Sequence, residues 1–349
     1  MVIKTNITEL LGIKHPIISA PMGPFYTTEL AIAVSEAGGL GVLSNTGLVS
    51  EYLAGRSPVN IMKENMKDVV EHTDKHFGFN ILTSRVAPAA NALCKEIPKF
   101  IMDNPKIKEQ CVYAVTSAGS SKMLPQSKSF QRLKESSNIK HFHVAPALWL
   151  ADKCVASNVD GMVITGNEGG GHQSYEKVSS LVLLQQVTEK YPDIPIAACG
   201  GYGTSQALAA ALAMGAGAIV MGSRFIASKE SEFHEAIKSI IPTARAQDTV
   251  LVTGGFGPIR LWKNKYSLTR DLITSKEEKM AREAQTSPEE LVEQGKKYEL
   301  AYNGNTSDGA VLVGQSIGII NSIERVPDII DNIIKTAEKR IRSLSTSLI

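Results

Sequence analysis

The 349-residue sequence holds only four cysteines, Cys94, Cys111, Cys154 and Cys199, and they stand far apart. No C-x-x-C spacing occurs, which argues against a structural zinc site or a redox pair. So few cysteines fit a reducing compartment better than secretion. Aromatic residues amount to 6% against 28 glycines, a mix that suits many tight strand–helix turns and not a β-sandwich. No apolar run approaches the roughly 18 residues that a membrane-spanning helix needs. Lys4, Glu9 and Lys14 interrupt the first fifteen residues, so no signal-peptide core is expected there. Charge of one sign is also missing: 37 Lys and Arg face 35 Asp and Glu, a net +2. That balance carries no electrostatic argument for nucleic acid or an anionic membrane. The reading is a soluble, cytoplasmic protein with no metal site.

What is present is a rhythm. A short apolar run, a Gly or Pro turn and a helix-period stretch repeat along the first two thirds of the chain. Candidate strands fall at 17–20, 41–44, 78–81, 111–115, 141–145, 161–165, 194–199 and 218–221. Several are rich in Val and Ile, as buried parallel strands should be. Between them, 28–36 carries Leu30, Ala31 and Val34 on one helical face, and 178–190 carries Leu181, Leu184 and Val187. Eight βα units in about 220 residues favour a closed (β/α)₈ TIM barrel over an open sheet. The stretch 85–110, with Pro88, Pro98 and Pro105, reads as an irregular connection or an insertion. Residues 229–303 are polar and look helical, so the expectation is a smaller, mainly helical inserted domain near the C-terminus. The barrel then comprises 1–228 and 304–349, with the lid or substrate domain at 229–303.

In such a barrel the active site forms where the strands end. The first candidate strand ends in Ala20-Pro21-Met22-Gly23, small residues that let backbone approach a flat ligand, or form a plain turn. The third ends in Gly78-Phe79-Asn80, whose amide offers both a donor and an acceptor, as the edge of a flavin pyrimidine requires. The sixth ends in Glu168-Gly169-Gly170-Gly171-His172. Three glycines permit close backbone approach and deliver an imidazole able to act as acid, base or anion stabiliser. The seventh and eighth end in Gly200-Gly201 and Gly222-Ser223, consecutive glycine turns of the kind that bind phosphate. His72 and His76 read as an exposed helix end. His141 and His143 share one strand face and read as satisfied core or rim residues.

The ordered set Ala20-Pro21-Met22, Gly39-Leu40-Gly41, Gly78-Phe79-Asn80, Glu168–His172, Gly200-Gly201 and Met221-Gly222-Ser223-Arg224-Phe225 resembles the nitronate monooxygenase family, formerly the 2-nitropropane dioxygenases. That family is related to the flavin-dependent enoyl-acyl-carrier-protein reductases. The resemblance spans nearly the whole chain apart from about 85–135. It implies an FMN-bound barrel, with Ala20, Pro21 and Met22 against the isoalloxazine and Asn80 on its ring edge. Gly200, Gly201, Gly222 and Ser223 would hold the phosphate, Glu168, Gly171 and Gln315 would lie near the flavin, and His172 would be the catalytic histidine. Departures from the family pattern stand at Gly169, Ser174 and Ser223, and at Val144-Ala145-Pro146, which looks more like the enoyl reductases, as does 260–264. They bear on the substrate and not on the fold. The implied activity is oxidation of alkyl nitronates with O₂. The rivals are an NAD(P)H-dependent reductase of an enoyl thioester or quinone, and a non-redox barrel that binds a phosphate ligand. A homodimer is left open.

Overall fold

The computed structural model describes residues 3–346; residues 1–2 and 347–349, at the ends of the expected barrel segments, lie outside them. The first six strands are β1 (Ile17–Ser19), β2 (Gly41–Leu43), β3 (Phe77–Leu82), β4 (Cys111–Ser117), β5 (Lys140–Ala145) and β6 (Gly161–Thr165). They are followed by β7 (Gly171–His172), β8 (Ile196–Cys199), β9 (Ala218–Met221), β10 (Thr249–Gly254) and β11 (Gly257–Trp262). Eight of them form one parallel sheet in the order β1-β9-β8-β6-β5-β4-β3-β2. The sheet closes on itself where Ser19 N–H donates to Leu40 O and Leu40 N–H to Ile17 O, both at 2.9 Å. All eight expected strands are present, and the fold is the TIM barrel expected from the βα rhythm.

Side-chain alternation separates the two faces of that sheet. Val42, Tyr113, Val115, Phe142, Val163, Ala197 and Val220 form one buried cluster inside the barrel. Phe77, Phe79 and Ile81 of β3 point the other way and pack with Leu93, Ile97 and Ile101 of an outer helix. Helix Ser180–Lys190 is capped by Ser179 Oγ and buries Leu183, Leu184 and Val187. Leu181, expected on that inner face, is exposed, because the buried stripe runs through Ser180, Leu183, Leu184 and Val187 and leaves it outside. The stretch 85–110 is less irregular than its prolines suggest. It forms helices Ala90–Met102 and Pro105–Gln110. Pro105 opens its helix, where a missing N–H costs nothing.

The segment over the barrel mouth holds helices Glu235–Ile240, Lys276–Gln285 and Pro288–Tyr302. It also holds something the sequence reading did not foresee there, the antiparallel hairpin β10–β11, which the two residues of β7 extend to a third strand. The lid is seated on the barrel by Tyr302, whose ring stacks on Phe25 at 5.4 Å and 6°. Glu299 accepts from Ser50 N–H at 3.1 Å, and Arg85 pairs with Glu283 at 2.8 Å. No helix among the described residues is long and apolar enough to cross a membrane.

Candidate active site

Between the C-terminal ends of the barrel strands and the lid lies a cavity of about 1540 Å³. Ala20, Pro21, Met22, Asn80, Gly171, His172, Gly200, Gly201, Gly222 and Ser223 all line it. Glu168 and Gln315 do not. The Glu168 carboxylate accepts from the N–H and the hydroxyl of Ser180, both at 2.8 Å, and its backbone oxygen accepts from Gln315 N–H at 2.8 Å. The resemblance implied that Glu168 lies near the flavin; its carboxylate is bonded to the N-terminus of helix Ser180–Lys190. These two residues clamp the glycine loop from behind.

Each lining group is held by a neighbouring strand end. Met22 N–H donates to Ser44 Oγ at 2.7 Å, which ties the turn after β1 to the end of β2. Asn80 projects inward from β3 and is almost fully buried. Its Nδ2 donates to Val115 O at 3.0 Å and to Ser117 Oγ at 3.1 Å, so β4 takes both amide hydrogens. What Asn80 keeps for a ligand is the acceptor Oδ1. Gly200 and Gly201 adopt φ of 85° and 86°, a conformation that L side chains rarely adopt. A Cβ on Gly171 would meet nothing within 4 Å, and one on Gly222 would meet only Ala20 Cβ at 3.6 Å and Met22 Sδ at 4.0 Å. These backbone edges therefore face open space that any side chain would fill. Ser223 Oγ accepts from Gly314 N–H at 2.9 Å, and Arg224 behind it pairs with Glu324 at 2.6 Å.

His172 sits on β7, paired across the sheet with Ile259 of β11. Arg260, next on β11, donates from Nε to Asn167 O at 2.7 Å and from Nη1 to Thr249 Oγ1 at 3.0 Å. The glycine loop of the barrel and the hairpin of the lid thus position the imidazole jointly. Its Nε2 is buried in the cavity wall without a protein partner, and Phe256 of the lid stands 5.3 Å from the ring. Enclosure pushes its pKa down to about 4, with the Lys279 ammonium adding to the effect. At neutral pH the ring is uncharged, one nitrogen a donor and the other an acceptor.

Several cavity residues were not singled out from the sequence: Phe256 and Lys279 on the lid, and Trp149 after β5. His143 was read as core or rim, and it is both buried and a lining residue. His72 pairs with Asp68 at the surface, as an exposed helix end should, and His76 bonds Leu11 O at 3.0 Å. No group of metal-binding side chains occurs among the described residues.

A closed βα barrel with glycine edges around its mouth and a neutral imidazole under a lid defines a barrel enzyme with its active site at the strand ends. The nitronate monooxygenase family model matches residues 4–336, and the chain belongs to that family. It is an oxidoreductase, which sets aside the non-redox barrel. The (3aS,4S,5R,7aS)-5-hydroxy-7a-methyl-1-oxo-octahydro-1H-indene-4-carboxyl-CoA dehydrogenase of Rhodococcus jostii (strain RHA1) is 28% identical, with 98% of each chain covered. The protein of the same name from Mycobacterium tuberculosis (strain ATCC 25618 / H37Rv) is 31% identical over 72% of this chain, and the match spans 64% of that relative. A probable nitronate monooxygenase of Staphylococcus aureus (strain JH9) is 26% identical over 73% of this chain and 77% of its own. Among solved structures, FabK from Thermotoga maritima superposes with a TM-score of 0.79 at 30% identity, covering 99% of this chain and 100% of that one.

Proposed function

We propose that the protein binds FMN at the barrel mouth and exchanges hydrogen with a bulky acyl thioester. The observation that carries this reading is the size of the cavity. About 1540 Å³ exceeds the roughly 300–1,000 Å³ of ordinary small-molecule sites. It leaves room beside a flavin for a substrate far larger than an alkyl nitronate. The CoA dehydrogenase relatives support the same choice.

The residues fit a flavin mononucleotide. Gly200, Gly201 and Gly222 bring bare backbone to the cavity, and the Ser223 hydroxyl beside them accepts from Gly314 N–H, an edge suited to backbone donation to a phosphate. Asn80 Oδ1 is a fixed acceptor for a ring N–H, and Met22 is a soft surface for a flat ring. Bound FMN would supply the two-electron redox chemistry. The chain's own contribution is position and proton handling. Removing or adding hydrogen next to a thioester carbonyl also moves a proton, and the uncharged His172 imidazole is placed to take or hold it at Nε2. Phe256 of the lid covers the imidazole on the cavity side.

A second reading, oxidation of small alkyl nitronates with O₂, is favoured by the family match and the staphylococcal relative. There His172 would steady the anionic nitro group. Anaerobic absorbance of the FMN-loaded protein separates the two. The thioester reading expects acyl-CoA to bleach the flavin band, or NAD(P)H to bleach it and enoyl-CoA to restore it. Bleaching by propyl-2-nitronate with inert thioesters and inert NAD(P)H overturns it in favour of the second.

A further inference from the structure

His143 belongs to none of the groups used so far, yet it lines the cavity while being 2% exposed. Its Nδ1 lies 2.7 Å from Thr116 Oγ1, and the same hydroxyl lies 2.8 Å from His141 Nε2. Thr116 is fully buried, and His141 is 1% exposed. Two imidazoles on β5 therefore share one hydroxyl on β4.

A hydroxyl has a single hydrogen, so Thr116 donates to one ring and accepts from the other. The far end of the chain decides which. His141 Nδ1 is buried and has no partner. An orphaned buried N–H is rarer than an under-satisfied acceptor, so Nδ1 is bare and His141 carries its hydrogen on Nε2. His141 Nε2–H then donates to Thr116, and Thr116 O–H donates to His143 Nδ1. His143 is left with its hydrogen on Nε2, and that nitrogen has no partner among the described residues. Burial pushes the pKa of His143 down to about 4 and that of His141 well below its ordinary value, the latter with help from His143 and Lys134. Both rings stay neutral, and the direction of the chain holds at ordinary pH.

The surroundings suit an acceptor that carries charge. Lys122 on the loop after β4 and Lys153 on the helix after β5 line the same cavity, with Lys153 Nζ 4.6 Å from the Trp149 ring centroid. The Asp160 carboxylate, which accepts from His141 N–H on the strand, is also taken up by Lys134 at 2.8 Å. At the start of the loop that carries Lys122, Ala118 adopts φ 54°, an uncommon conformation for a residue with a side chain, and such outliers cluster at ligand sites.

We propose that the part of the cavity lined by His143, Ser120, Lys122, Trp149 and Lys153 is an oxyanion-binding site, in which His143 is a fixed Nε2–H donor to a carboxylate or phosphoryl oxygen of the ligand. The site would hold the anionic end of a substrate while the reaction proceeds at His172. It does not depend on the flavin reading, since its donors are the chain's own.

The test uses the full chain labelled with ¹⁵N-histidine, with and without FMN. Long-range correlation spectra at neutral pH should show His143 neutral with its hydrogen on Nε2. Thr116→Val, which removes the hydroxyl at nearly constant shape, should lose that tautomer preference. Inorganic phosphate and acetate are titrated as separate probes. A shift of the His143 signals with phosphate alone identifies a phosphoryl site, and a shift with acetate identifies a carboxylate site. His143→Phe should weaken the effective probe about tenfold or more, and His143→Gln, which keeps a donor near the Nε2 position, should restore most of it. A hydrogen on Nδ1, a charged His143 at neutral pH, or no response to either anion overturns the proposal. Failure of FMN binding with the histidine results intact would sink the flavin reading alone.

Discussion

β6 leads into the loop that carries His172 and β11 pairs with that residue, and the two strands are built differently. β6 is buried at every residue and lies between β5 and β8 in a closed sheet. β11 is paired on one side with β10 and on the other with only two residues of β7. Helix Lys276–Gln285, which roofs the cavity beyond it, buries none of its residues. The barrel half of the site is thus held by the main core. The lid half has a small apolar cluster of its own, formed by Val252, Ile259, Leu261 and Ala310. Elements with little buried surface, such as helix Lys276–Gln285, open at low free-energy cost.

The largest expected effect separates the halves at the cofactor edge. Gly201→Val places a branched side chain at φ 86° on the barrel side, and FMN affinity should fall more than about a hundredfold. Flavin fluorescence titration measures it, with circular dichroism as the check that the barrel survives. His172→Ala should cost about 10²–10⁴-fold in turnover while leaving FMN binding within a few fold, because the ring acts in chemistry and not in holding the phosphate. An equal loss of both would merge the two halves.

Acid should reach the barrel histidines through stability. The folded pKa of His143 lies below the unfolded value of 6.5, at about 4. Its contribution is thus complete above pH 6.5 and is lost as pH falls from there toward 4. The magnitude is on the order of 3 kcal/mol. Thermal melts across that window should show a steep decline for wild type and a shallower one for His143→Gln. Arg260→Met tests the seam between the halves. It leaves Asn167 O and Thr249 Oγ1 without their charged donor and should cost the lid about 1.5–3 kcal/mol. Hydrogen exchange at Gly171 and His172 should quicken while that of β6 does not. The smallest effect belongs to Arg85–Glu283, which lies at the surface on the arginine side. Glu283→Gln should change stability by less than about 1 kcal/mol, read from urea melts.

The same difference explains what could be read from the chain. Buried parallel strands appear in a sequence as apolar runs, often closed by Gly or Pro, and all eight barrel strands were legible in this way. The order of their end motifs then placed most of the mouth. The hairpin β10–β11 stayed hidden because Arg260, 4% exposed, interrupts its apolar pattern, and its partners Asn167 and Thr249 are distant or unremarkable in sequence. The contact of Glu168 with Ser180 was hidden for a related reason, since only three dimensions bring the two residues together. The pair His141 and His143 was correctly read as sharing a face, but the hydroxyl that joins them is on another strand.

The central claim is that the glycine edge and Asn80 form a flavin site that the lid covers. Equilibrium titration of the full chain with FMN, followed by absorbance and fluorescence, tests it most directly. The account predicts saturation at one FMN per chain, with the visible band perturbed and binding lost in Gly201→Val. Absence of saturable binding, or unchanged binding in that variant, would contradict it.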